Sequence, residues 1–488
     1  MSKPHLLFLI MHDVGRRYAS YGDPNAKTPV LDRIAAEGMR FENHFCNYPL
    51  CGPARANLFS GYRPEVTQRF NNQPFFAPFR KRMGPDFKTL PQQFKEHGYR
   101  TLGTGFVYHD VPDVPSWSEP FVPQQLPSDL PSWSLPYQQA SPNIYRNRES
   151  LDLIRKRREG LEAAGHDQEY LSSLEGLRQC RGPAVEVGEY GDDGYYDGVA
   201  TNQALEWIDA HNSSEPLFCA VGFSATHLPF NAPRRYWDLY DRTQLQPAAY
   251  REPPQQSPEW TNGDAEPVQY YTTTGYSEPW RASDEESLEL LHGHYATLSY
   301  VDAQIGKIVA ALESKGMWEE TIVIVTSDHG FHDSEHGYWG KHTCRDYSFR
   351  VPWLMRIPKG PAGSYRGLSE HIDIYPTLCG AAGIPAPEVL PGKDLTPHLS
   401  AGNNPDRRAV FGMRKPMWHD RLQVYEECRS VRTERHRLNT YYDKSGKVLY
   451  RELFDYVEDP DEQWNHAETH PELVEELEAL YAAQIGPT

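Results

Sequence analysis

The sequence predicts an α/β protein: a large, mostly parallel sheet flanked by helices, with a small C-terminal α+β subdomain. Three observations predict it. Apolar strand-like runs alternate with helical patterns from residue 5 to residue 326, the signature of a parallel sheet with crossover helices. The run Thr321–Thr326 is apolar throughout, as a strand buried on both faces would be. Beyond about residue 400 the pattern changes to short β-like stretches, Arg408–Met413, Glu427–Arg432, Arg437–Tyr442 and Glu452–Tyr456, followed by a helix at 471–483.

In chain order, the strand at 5–11 leads to a helix spanning Thr28–Gly38. Thr28 suits its N-cap, Pro29 its first turn and Gly38 its stop. The same grammar recurs at Thr89–Gly98, followed by a strand at 99–104, and again in a helix at 200–210 followed by a strand at 217–223. A long amphipathic helix is expected over 284–315, with Leu288, Leu291, Tyr295, Leu298, Val301, Ile305 and Ile308 on one stripe. The Pro-, Ser- and Trp-rich segments 110–190 and 241–283 read as long insertions that wall a site. Residues 1–400 are therefore expected to form the catalytic domain and 401–488 a subdomain packed on it.

A formal net charge of −18 excludes the basic field that a nucleic acid or an anionic membrane would require. No stretch of about 18 apolar residues predicts a transmembrane helix. Seven cysteines at irregular spacing, without a CxxC pair, do not form a disulfide framework. The apolar run from His5 is ended at once by His12-Asp13 and lacks a cleavage site, so a signal peptide is not expected. The expected compartment is the cytoplasm, with a mature periplasmic or secreted form as the alternative.

Ligands of parallel sheets bind beyond the carboxyl ends of the strands. His12-Asp13, Thr226-His227 and Asp328-His329 each follow a predicted strand, so three strands deliver ionisable groups to one edge. The segment Cys51-Gly52-Pro53-Ala54-Arg55, followed by a helix-forming run to Gly61, resembles the signature of the formylglycine-dependent (type I) sulfatases of the alkaline phosphatase superfamily. Val325–Gly330, Gly337–Lys341 and Phe223–Phe230 resemble further segments of that family. Asn231–Tyr240 and Ser299–Gly306 place the likeness nearest to iduronate-2-sulfatase-like enzymes.

The resemblance implies an alkaline-phosphatase-like fold and hydrolysis of a sulfate ester on a sulfated carbohydrate or another small sulfate ester. It implies that a formylglycine-generating enzyme converts Cys51 to an aldehyde. One hydroxyl of the aldehyde hydrate then attacks sulfur and the other expels sulfate. By the same resemblance, Asp13, Asp328, His329 and the modified Cys51 hold a divalent metal, and Arg55 orients the nucleophile. His109 takes the proton that lets the diol collapse. His227 and Lys341 bind sulfate and assist the leaving oxygen, with His342 a candidate substrate contact.

Two positions depart from the family pattern. His12 stands where an aspartate is usual, so Ca²⁺, the expected ion, competes with Mn²⁺ or Zn²⁺; His12 is either a ligand or a support behind Asp13. Phe106 stands where a lysine is usual. Phosphonate monoester hydrolases also lack that lysine, which makes a phosphonate monoester or phosphodiester hydrolase the alternative activity. A catalytically inactive glycan-binding homologue is a third.

Overall fold

The computed structural model of the chain describes residues 3–130, 143–212, 214–262, 265–271, 276–278, 281–404, 406–416 and 424–485. Eight strands form the main sheet: β1 (His5–Met11), β2 (Met39–Phe45), β3 (Arg100–Gly105), β4 (Val122–Pro123), β5 (Leu217–Gly222), β6 (Thr321–Ser327), β7 (Trp353–Arg356) and β8 (Gly363–Glu370). Their order is β8-β2-β7-β6-β1-β5-β3-β4. β7 runs antiparallel to its two neighbours and the other pairs are parallel.

Alternation along β1 sends its side chains to two separate cores. Leu7, Leu9 and Met11 pack with helices α1 (Pro29–Glu37), α4 (Tyr196–Ala210) and α5 (Asp284–Ser314) through Leu31, Ile34, Ala204, Ile208, Val301 and Ile305. Leu6, Phe8 and Ile10 face α2 (Cys51–Ser60), α3 (Leu90–Glu96) and α6 (His371–Ala382) through Leu58, Phe59, Phe94, Ile374 and Leu378. Each such fully buried Leu, Ile or Phe contributes about 1.5–3 kcal/mol relative to exposure. The central strands are thus clamped from both sides, which fixes the sheet edge where their C-terminal ends emerge.

The C-terminal region forms an antiparallel sheet of β9 (Val410–Arg414), β10 (Glu427–Arg432), β11 (His436–Tyr442) and β12 (Val448–Asp455), covered by α7 (Pro471–Ile485). Val474, Leu477 and Tyr481 of α7 pack on Val431, Leu438 and Leu453. Buried ion pairs tie this sheet to the segment that follows Lys341. Asp346 accepts from Arg432 (3.1 Å) and Arg437 (2.6 Å), and Arg345 pairs with Glu452 (3.1 Å). All seven cysteines are free, and no helix among the described residues is long and apolar enough to cross a membrane.

The insertions are more structured than their composition suggests. The first holds the helix Arg148–Ala163 and the strand Val185–Gly188, which pairs with Phe230–Pro233 beside the site. The parts of the two insertions at 131–142, 263–264, 272–275 and 279–280 lie outside the described residues.

α1 starts and stops where the sequence places it, but not by the expected contacts. Thr28 holds the N-cap position, but its hydroxyl donates to Asp32 (3.4 Å) and makes no cap bond. The cap comes from α5: Asp302 accepts from the backbone of Val30 (3.2 Å) and Leu31 (2.8 Å). Gly38 is extended, not left-handed; it is glycine because a Cβ there would press on the backbone of Met355 in β7. Asp302→Ala is therefore expected to cost about 1–2 kcal/mol by loss of the cap, with Asp302→Asn losing less, because its single amide oxygen keeps at most one of the two bonds. Urea unfolding midpoints of the two variants check this.

Candidate active site

β6, β1 and β5 are adjacent and parallel, so the segments leaving their C-terminal ends meet. β1 delivers His12 and Asp13, β6 delivers Asp328 and His329, and β5 leads through Phe223–Thr226 to His227. The turn after β1 needs a left-handed backbone at Asp13 (φ 55°), which aspartate tolerates better than most residues. Asp328 Oδ1 accepts from the backbone N–H groups of Asp13 (3.1 Å) and His329 (2.9 Å), locking the two strand ends together. Ser327 Oγ accepts from Val14 N (3.0 Å) and donates to the His329 carbonyl (2.9 Å).

Cys51 opens α2, whose N-terminus points at this edge and favours negative charge there. Its Sγ lies 3.0 Å from His12 Nε2 and 3.3 Å from His329 Nε2. Burial pushes the Cys51 thiol well above the usual thiol range, so the unmodified thiol is a poor nucleophile at neutral pH. Gly52, next in the chain, donates its N–H to Asn72 (2.9 Å), which fixes the first turn.

His12, Asp13, Cys51, Asp328 and His329 offer ligand atoms that all lie within 4.8 Å of one another, and all five residues are buried. The donor set fits a divalent ion on two further observations. Asp13 Oδ1 is buried without a hydrogen-bond partner. His329 Nδ1 bonds the Gly330 carbonyl (2.8 Å), which leaves the Nε2 lone pair facing the cluster, the usual arrangement of a ligating imidazole. Burial raises the Asp13 carboxyl to about 6, against the pull of Lys341 and His329. Burial acts on Asp328 in the same sense, but His329, Arg55 and Lys341 hold its carboxyl low. Asp328 is thus held as an anion, and Asp13, with Lys341 already beside it, is the weaker acid of the two.

Arg55, one turn into α2, donates Nε to Asp328 Oδ2 (3.0 Å) and Nη1 to the carbonyls of Phe106 and Val107 (3.1 Å to Val107). Its guanidinium lies 4.6 Å from the centre of the Phe106 ring. Gly105, left-handed at φ 73°, turns the chain out of β3 here; a Cβ would run into the Gly222 carbonyl. Phe106 in turn stacks on His12, with ring centres 4.7 Å apart and planes 28° apart. The two positions read as departures from the family pattern, His12 and Phe106, therefore form one packing unit of two stacked rings.

Lys341 closes the other side. Its Nζ donates to Asp13 Oδ2 (2.6 Å) and to His227 Nε2 (2.9 Å), and lies 3.2 Å from Glu266 Oε2. His227 Nδ1 donates to the Leu228 carbonyl, so its Nε2 is the acceptor facing Lys341. Burial, then the Lys341 charge, pushes His227 down to about 4. The loop before His227 is held by Asp197, which accepts from Ser224 N (2.9 Å) and Ala225 N (2.8 Å), and by the Asn143 carboxamide on the His227 carbonyl (2.8 Å).

Eight of the predicted site residues thus come together: His12, Asp13, Cys51, Arg55, His227, Asp328, His329 and Lys341. His109 sits at the rim, its ring edge-on to Phe106 at 5.7 Å, and burial with the Arg55 and Arg69 charges pushes it down to about 3. His342 follows Lys341, half-buried, in a left-handed conformation at φ 69°. Sequence reasoning missed Glu266, Asn143 and Asp197. All three lie in or beside the insertions, where neither periodicity nor a motif distinguishes them from solvated polar residues.

A nucleophile position on a helix N-terminus, a carboxylate–imidazole cluster fit for a divalent ion and a facing Lys–His pair define a metal-assisted hydrolase of anionic esters. The Sulfatase family model matches residues 4–384, and a model of the C-terminal region of N-sulphoglucosamine sulphohydrolase matches residues 334–483. The chain belongs to the sulfatase family and is a sulfuric ester hydrolase. It is 26% identical to iduronate 2-sulfatase of Mus musculus over 453 residues, covering 84% of this chain and 76% of the relative. A solved structure of a protein in complex with its substrate D-glucosamine-2-N,6-O-disulfate superposes with a TM-score of 0.72 at 19% identity, covering 99% of this chain and 98% of that one. The phosphonate monoester hydrolase of Agrobacterium radiobacter does so equally, with a TM-score of 0.72 at 22% identity, covering 99% and 96%.

Proposed function

We propose that this sulfatase removes a sulfate ester from a carbohydrate, using a formylglycine hydrate at position 51 and a divalent ion held by His12, Asp13, Asp328, His329 and the modified Cys51. The observation that carries the reading is the position of Cys51: its Sγ touches two imidazoles of the cluster from the first residue of α2. The ion supplies Lewis acidity toward the sulfuryl oxygens, and the hydrate supplies the attacking hydroxyl. The chain's own groups do the rest. Arg55 fixes Asp328 and, through it, the strand ends. Lys341 and His227, bonded to each other beside Asp13, bind sulfate and assist the leaving oxygen. His109, neutral at the rim, is the residue assigned to take the proton that lets the diol collapse, and His342 to contact the substrate.

The sugar is supported by the likeness to iduronate 2-sulfatase and to the protein bound to a glucosamine disulfate. Incubation with a panel of sulfated uronate and hexosamine oligosaccharides tests it: sulfate release from at least one member is expected, and none from any would overturn the reading. Phe106 and the likeness to a phosphonate monoester hydrolase favour that activity as a second reading. Rates on an aryl sulfate and on a phenylphosphonate ester separate the two, and the sulfate is expected to be the faster.

The donor set favours one class of ion. His12 Nε2 lies 3.3 Å from Asp13 Oδ1 and 3.5 Å from Asp328 Oδ2, inside the cluster and not behind it. Two imidazoles and two carboxylates suit Mn²⁺ or Zn²⁺ better than Ca²⁺, which prefers oxygen. Metal-free protein exposed to equal Ca²⁺, Mn²⁺ and Zn²⁺ should retain a transition ion by elemental analysis, and His12→Asp should shift retention toward Ca²⁺. Retention of Ca²⁺ alone by the unsubstituted protein would contradict this assignment.

A further inference from the structure

Glu266 has no part in the reaction described above. It is a buried carboxylate, 8% exposed, beside the groups assigned to bind an anion. Like charge at such a site weakens substrate binding unless the carboxylate does something else. Its contacts say what. One Glu266 oxygen lies 3.2 Å from His227 Nε2, and the other lies 3.2 Å from Lys341 Nζ.

The same insertion grips His227 a second time: Tyr271 donates to the Leu228 carbonyl (2.7 Å), the carbonyl that also accepts from His227 Nδ1. Asp13, His227 and Glu266 also offer ligand atoms within 4.8 Å of one another, a spacing able to hold a cation. The cation standing there is the Lys341 ammonium, in contact with all three.

We propose that Glu266 is a positioning residue, which holds the Lys341 ammonium, and through it the His227 imidazole that accepts from that ammonium, in register with the leaving oxygen. Without it Lys341 has one carboxylate, Asp13, and is drawn toward the metal side of the site. With it the ammonium is suspended between two carboxylates and leans on His227 Nε2. When sulfate enters, Lys341 turns one N–H to it while Glu266 and Asp13 keep the other two. A burden on proton donation to the leaving oxygen grows with the basicity of that oxygen. The role of Glu266 is therefore small for an acidic phenol and large for a sugar hydroxyl.

This inference rests on the sulfatase reading above, and the test separates the two. Purified, metal-loaded and formylglycine-converted wild type, Glu266→Gln and Glu266→Asp are compared on aryl and alkyl sulfates of rising leaving-group pKa. Glu266→Gln is expected to lose kcat by a few-fold on nitrophenyl sulfate and by about 100-fold on the least acidic leaving groups, the lower range for general acid catalysis. KM should change little, and Glu266→Asp should show the same steepening at reduced size. Equal metal content and melting temperature exclude a collapsed site. If Glu266→Gln is recovered unfolded, the steepening in Glu266→Asp decides. A loss uniform across the series, or slopes parallel to wild type in both variants, overturns the positioning role. No sulfate release by wild type from any ester would instead overturn the sulfatase reading.

Discussion

Cys51→Ala is expected to abolish sulfate release, with kcat falling by about 10⁶-fold, as when a covalent nucleophile is deleted from its constellation. Cys51→Ser should fail as well, since a buried hydroxyl lacks the second oxygen that expels sulfate. The expectation follows from where the residue sits. The side chain at position 51 reaches the ion cluster on one side and opens α2 on the other, whereas the buried hydroxyls of Ser327 and Thr226 at this edge are tied to backbone carbonyls. The fold should survive, because the residues of α2 that pack on β1, such as Leu58 and Phe59, are untouched. Ion chromatography of released sulfate, with a melting curve of the variant, checks both halves. Residual turnover within 100-fold of wild type would mean that the nucleophile is elsewhere.

Lys341→Met should be the most damaging change that leaves the nucleophile in place. The ammonium is buried and bonded to Asp13 and His227, with Glu266 beside it, and burial alone would depress it while Asp13, Cys51 and Glu266 raise it well above the usual lysine range. Removing it leaves two buried carboxylates without their cation. Breaking a buried pair in this way costs about 3–5 kcal/mol, a large part of a domain's stability. Activity should fall by a further 10²–10³-fold or so in kcat among molecules that remain folded, the effect of losing one preorganised donor. Chemical unfolding of the metal-free variant and single-turnover kinetics separate the two losses. A variant of unchanged stability would mean that Asp13 and Glu266 are neutralised by something other than Lys341.

Much of this architecture is legible in the sequence, and the reasons are physical. β1, β5 and β6 are short apolar runs followed at once or soon after by polar pairs, so both strand and edge announce themselves. The motif around Cys51 and Arg55 is compact because one helix turn carries both. Long-range partners are the opposite case. Thr28 satisfies the local rule for a helix cap, yet the backbone groups it would cap are taken by Asp302, 272 residues away from Val30. Glu266 carries no signal, because its meaning depends on a fold that brings an insertion over Lys341. The stacking of Phe106 on His12 is likewise invisible from spacing. Each position read alone looks like a lost group; the structure packs the two rings against each other.

The proposed reaction stands or falls on the chemistry at position 51. The most direct test is the mass of the peptide bearing Cys51, taken from protein co-expressed with a formylglycine-generating enzyme. The mass change of thiol-to-aldehyde conversion is the expected result, together with sulfate release by the converted fraction. An unmodified thiol, under conditions that convert a control sulfatase, would contradict the mechanism and leave the Cys51 cluster as a binding site without a nucleophile.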